Sequence, residues 1–186
     1  MLLFISFAYA GAIQRGINFP EKQYNKILLD NQKLYPRLWG IVDEITRNDV
    51  DVYITHIKNG SPGRTRGNHS ISMNYKTFFR ASKNYPEGRL VVVMLHEYGH
   101  ILFNRNKNNK DATRTDREYY AFKYSVKRSL TLANNGYREP IRQLIRHLPL
   151  RLKHGKKGSP HNIALKKLTQ EDFWLDTIKQ YGGTHR

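Results

Sequence analysis

The chain has 186 residues, 39% of them hydrophobic and 12% aromatic, which supplies one domain with a real core and excludes compositional disorder despite a mean hydropathy of −0.70. It contains no cysteine, so disulfides, thiolate ligands and cysteine nucleophiles are ruled out and any metal must be held by histidine and carboxylate. Lys and Arg number 32 against 15 acidic residues, a formal charge of +17, which favours contact with an anionic partner such as nucleic acid, an envelope polyanion or an acidic substrate, although a solvated basic surface accounts for it equally well.

The first stretch, MLLFISFAYAGAIQRG, is uncharged up to Arg15, and Ala8-Tyr9-Ala10 gives it the small-x-small pattern of a signal-peptidase site. Residues 1–10 are therefore a candidate signal peptide ahead of a single domain over 11–186. A secreted or periplasmic location is expected, with a cytoplasmic one as the alternative. The segment is shorter than the 20 or so apolar residues that span a bilayer, and nothing later approaches that length, so no transmembrane segment is expected.

From Glu21 the spacing of Ile27, Leu28, Leu34, Leu38, Ile41, Val42 and Ile45 predicts helix, with Pro36 as a break or a fresh first turn. Val50, Val52 and Ile54 alternate with polar residues in the period of a strand. KNGSPGRTRGN then reads as a flexible basic loop, HSISMN as a second strand, and Lys76 to Asn84 as a short helix.

The next stretch, LVVVMLHEYGHILF over 90–103, sets two histidines and a glutamate in an apolar run, where each unpartnered polar group costs roughly 1–3 kcal/mol. On a helix His96 and His100 project from one face one turn apart, a spacing suited to two imidazole ligands of one metal ion. Glu97 lies too far round to be a third ligand. It can instead reach a water on the metal, take its proton and deliver it to a leaving amine. A chance HExxH in a chain of this composition is about a 1% event, and the bare match leaves a core helix with paired histidines as an even alternative. The three polar groups within an apolar run, each needing its own partner, tilt the balance towards a metal site.

A catalytic zinc needs a third protein ligand and an open fourth position. The near candidates are Asp111, Asp116 and Glu118. The segment DATRTDREYYAFKYSVKRSLTLANNG reads as one helix ending at Gly136, with an apolar stripe through Tyr119, Phe122, Val126, Leu130 and Ala133. Glu118 borders that stripe through Ala121, Phe122 and Ser125, whereas Asp116 falls on the side of Tyr120, Lys123 and Lys127. A short loop lets this helix return antiparallel and carry Glu118 towards the histidines.

His96-Glu97-Tyr98-Gly99-His100 followed by Glu118-Tyr119-Tyr120-Ala121 resembles the zincin metallopeptidases of the gluzincin type over roughly residues 50–134. The resemblance implies an α+β, zincin-like fold, with a small mixed or antiparallel sheet packed on the HExxH helix and a second, glutamate-bearing helix. It implies one Zn2+ per chain on His96, His100 and Glu118, catalysis by Glu97, a peptide or protein substrate, and an edge strand at His69 to Asn74 that pairs with that substrate. Phe122 departs from the acidic or amide residue found there in some members. Thr115 to Tyr119 partly resembles the aspartate-ligand region of aspzincins without its flanking glycines, and a third histidine of the metzincin or Spartan-like kind is absent. Tyr119, Tyr120, His147 and His154 are candidate donors to an oxyanion.

In the basic remainder, 137–186, Ile141, Leu144, Ile145 and Leu148 predict a short helix ending before Pro149. LRLKHGKKGSPH reads as a basic loop, and Thr169 with Asp172 as a capping box opening a last helix that carries Phe173, Trp174 and Ile178. The alternative function is a basic polyanion- or nucleic-acid-binding protein with a structural or inactive HExxH helix.

Overall fold

Residues 13–58, 60–78 and 86–182 are described by a computed structural model; the candidate signal peptide lies outside them. A two-residue strand, β1 (Gln14–Arg15), precedes α1 (Glu21–Leu34), and α2 (Pro36–Thr46) starts at Pro36, whose missing N–H is harmless in a first turn. The three- and four-residue spacing buries Leu38, Ile41, Val42 and Ile45 along one stripe of α2. Gly40 sits on the opposite face, where an added Cβ would meet nothing within 4 Å. Gly40→Ala is therefore expected to stabilise the fold by about 0.5–1 kcal/mol by removing the backbone-entropy cost of a mid-helix glycine, read as a rise in thermal midpoint.

Three further strands follow: β2 (Asp51–Thr55), β3 (Gly63–Arg66) and β4 (Ser70–Asn74). The sheet order is β1-β2-β4-β3, with β1–β2 and β2–β4 parallel and β3–β4 antiparallel. Two expectations are corrected here. The stretch read as a loop contains β3, and the edge strand beside the HExxH helix is β3, not the strand at His69 to Asn74. All five residues of β4 are buried, because it has a strand on each side. β3 shows no apolar alternation since its inward positions are Gly63 and Thr65, chosen for close approach to a helix, while Arg64 and Arg66 face solvent. Gly67, at φ +62°, makes the turn into β4.

The short helix α3 (Tyr75–Phe78) leads towards α4 (Glu87–Arg105), the central element of the molecule. Leu90, Val91, Met94, Leu95 and Ile101 of α4 are at most 1% exposed, each contributing roughly 1.5–3 kcal/mol of burial before entropy is counted. One core, with Ile41, Val42, Ile54 and Ile71, lies between the sheet, α2 and α4. A second core joins α5 (Arg114–Asn134), α6 (Glu139–His154), α7 (Pro160–Leu168) and α8 (Asp172–Tyr181) around Val126, Leu144, Leu165 and Trp174.

The C-terminal part differs from its reading in three ways. Helix α6 continues through Pro149, because Leu148 and Leu152 on either side still pack into the second core. The supposed basic loop ends in α7, opened by Ser159 as N-cap and Pro160 in the first turn. Thr169 ends α7, its hydroxyl donating to the Lys166 carbonyl, and Glu171 rather than Thr169 precedes α8. Among the described residues no helix is long and apolar enough to cross a membrane.

Candidate metal centre

The approach of α5 to α4 is set by two small residues. A Cβ on Gly99 would lie 2.8 Å from the Cα of Ala121, so the backbones meet there. The pairs Phe103–Tyr120, Gly99–Ala121 and Tyr98–Tyr124 run in opposite senses along the two chains, which makes the helices antiparallel as the sequence predicted. Glu118, three residues before Ala121, is thereby carried to the histidine face. Gly99→Val is expected to wedge the helices apart, costing about 1–3 kcal/mol and weakening metal binding in parallel, as thermal melts and zinc titration would show.

His96 and His100 stand side by side, 4.7 Å between ring centroids, 9% and 4% exposed, and Glu118 is 5% exposed. The Glu118 Oε2 atom lies 3.5 Å from His96 Nε2 and 3.4 Å from His100 Nε2. A third imidazole, which the sequence did not single out, completes the group: His161 of α7, whose Nε2 is 3.1 Å from the same oxygen. Its only sequence signal was the Ser159-Pro160 helix start immediately before it. The donor atoms of His96, Glu118 and His161 all lie within 4.8 Å of one another, and His100 joins them through Glu118.

These separations are ones at which the group could hold a metal ion. Donors bound tetrahedrally at about 2.0–2.1 Å from a zinc ion stand roughly 3.3 Å apart, close to the three distances radiating from Glu118. Among the described residues the Oε2 atom is buried and finds no hydrogen-bond partner, and neither does His96 Nδ1. A carboxylate oxygen faced by three imidazoles without one aligned hydrogen bond fits a cation between them.

The protonation states agree. Burial raises the carboxyl of Glu118, but His100 and His96 outweigh it and hold the group well below the usual carboxylate range. Burial pushes His96 below the ordinary imidazole value. His161 is pushed down to about 4, mainly by burial, with Arg151 contributing in the same direction. An ionised carboxylate and neutral imidazoles are the forms that ligate a metal.

Support around the histidines is by packing rather than by carboxylates. The Phe122 ring lies 4.4 Å from that of His96 and 6.0 Å from that of His161, and a long contact of 3.4 Å joins Arg117 Nε to His100 Nδ1. Phe122 thus packs against two of the imidazoles.

Glu97 faces β3. The Thr65 hydroxyl lies 2.8 Å from Glu97 Oε2 and 2.8 Å from the Glu97 carbonyl oxygen, and a Cβ on Gly63 would come within 2.8 Å of Glu97 Cγ. The edge strand is therefore seated directly on the glutamate. A cavity of about 510 Å³ opens beside Glu97, His96, Phe122 and His161, within the size range of ligand sites.

The other candidates fall elsewhere. The Asp116 carboxylate accepts from the backbone N–H and hydroxyl of Thr113 in the capping box of α5, and these bonds lower its pKa. Asp111 is exposed. The Tyr119 hydroxyl accepts from Lys123, and Tyr120 packs on Phe103. His147 and His154 line the cavity but do not join the cluster. No protein-family model, curated protein or solved structure matches the chain.

Proposed function

We propose that the chain is a zinc-dependent peptidase. The observation that carries this reading is the convergence of three imidazoles on the buried Glu118 carboxylate, with Glu97 beside them on a cavity wall under an edge strand. His96, His100 and Glu118, on two helices locked together at Gly99 and Ala121, would hold the metal. His161 comes from a different helix, and its side chain is 34% exposed; it would be a further donor on the cavity side. A zinc ion bound there supplies Lewis acidity to the attacking water and to the peptide carbonyl.

The rest is done by the chain. Among the described residues β3 has a single neighbour in the sheet, so its outer edge can pair with an extended peptide and lay the scissile bond over α4. Thr65 fixes Oε2 of Glu97 and leaves Oε1 to take a proton from the attacking water and return it to the departing nitrogen. The apolar wall of Val92, Val93 and Phe122 limits water around the reacting groups.

The test is metal content together with hydrolysis. Purified protein is expected to carry about one zinc per chain and to cut an unstructured polypeptide, with cleavage lost on chelation and restored by zinc. A well-folded protein that takes up no zinc would remove this reading.

A further inference from the structure

Thr65 meets Glu97 in a way that a single hydrogen bond does not explain. Its hydroxyl oxygen lies 2.8 Å from Glu97 Oε2 and also 2.8 Å from the Glu97 carbonyl oxygen. Both oxygens are acceptors when the carboxylate is ionised, and a hydroxyl has one proton to give. Thr65 therefore serves one of them at a time. The second acceptor belongs to the backbone of α4, so it stays in place whatever the carboxylate does.

The surroundings keep the heavy atoms still. The branched Cβ of threonine leaves few rotamers, and β3 is anchored by its pairing with β4, where Thr65 stands opposite Ile71. The stem of Glu97 packs on the same strand: a Cβ on Gly63 would lie 2.8 Å from Glu97 Cγ and 3.3 Å from Oε1. The glycine thus leaves Oε1 uncovered while Thr65 covers Oε2. Turning the hydroxyl from one acceptor to the other needs only rotation about its C–O bond.

Resting on the peptidase reading, we propose that Thr65 is a positioning residue whose one hydroxyl proton alternates between the two Glu97 oxygens, holding the side chain in the same place before and after it takes a proton. While the carboxylate is charged, the bond to Oε2 is charge-assisted and wins. That charge disappears when an O–H bond of the attacking water breaks and Oε1–H forms. The hydroxyl then turns to the backbone carbonyl, and no half-buried donor is stranded. As the peptide C–N bond gives way to the new C–O bond, Oε1–H breaks, its proton passes to the departing nitrogen, and the hydroxyl returns to Oε2. Thr65 itself neither gains nor loses a proton. Because the outer edge of the same strand is the surface offered to substrate, general damage to β3 would weaken substrate binding, whereas loss of the hydroxyl alone would slow proton transfer.

The deciding experiment follows hydrolysis of a quenched peptide by the full-length, zinc-supplemented protein and its Thr65→Val, Thr65→Ala and Thr65→Ser variants, with zinc content and thermal midpoint measured on each preparation. The valine and alanine variants are expected to lower kcat by about 10–100-fold, since a misplacement of about 1 Å can cost on the order of 100-fold. Their KM should stay within about threefold of the parent's, the pattern of an interaction made only in the transition state. The serine variant keeps the hydroxyl and should recover most of the rate. Added to Glu97→Gln, Thr65→Val should leave the residual rate unchanged, because no proton remains to be placed. A raised KM with kcat unchanged, a serine variant as slow as alanine, or the full loss repeated in the Glu97→Gln background overturns the inference. A parent that hydrolyses peptide at the same rate as its valine and alanine variants removes the role of Thr65 alone, whereas a zinc-loaded parent with no hydrolysis removes the peptidase reading and this role with it.

Discussion

Glu97→Gln is expected to lower peptide hydrolysis by about 10²–10⁴-fold, the usual contribution of a positioned general base, with zinc content and thermal midpoint close to those of the parent. Glutamine keeps the shape that packs against Gly63, and its amide oxygen can still accept from Thr65. What it loses is the ability to take a proton. Glu97 also sits outside the group formed around Glu118, so metal should remain. Steady-state hydrolysis of a quenched peptide, with zinc measured on the same preparation, separates the outcomes. A parent-like rate would show that Glu97 is not the base, and loss of zinc would make it a ligand instead.

Most of this site was legible because one helical period served both packing and chemistry. The four-residue step that puts His96 and His100 together is the step that buries Leu90, Met94 and Ile101. Glu118 was separable from Asp116 because it borders a core stripe of α5, while Asp116 caps the helix. Both assignments needed only facts local to one helix.

What was hidden depended on partners distant in sequence. β3 is a strand because Gly63 and Thr65 fit against Glu97, thirty or more positions later, and no alternation of apolar residues announces that. α6 runs through Pro149 since its neighbours have a core to enter, so burial overrides the local helix-breaking signal. His161 lies 43 positions after Glu118; a histidine after a serine and a proline says only that a helix begins, and the fold alone brings it to the carboxylate. The identity of the edge strand was misassigned for the same reason, as register in a mixed sheet is a long-range property.

Substitution of the donors one at a time should rank them by their hold on the metal. Glu118→Ala is expected to weaken zinc binding by more than 100-fold, since even groups that only orient ligands are worth about 10–100-fold, and Glu118 is the atom on which all three histidines converge. Asp116→Ala should keep about one zinc per chain while lowering the thermal midpoint slightly, because its carboxylate serves the Thr113 capping box and nothing in the metal group. His161→Ala should also keep zinc, since three donors remain on the packed pair α4 and α5. Competition against a zinc indicator, with thermal melts on the same variants, measures both effects. If His161→Ala loses zinc as completely as Glu118→Ala while His100→Ala retains it, the protein ligands are His96, Glu118 and His161. Any open side of the site would then face His100, which does not line the cavity, and not His161, which does.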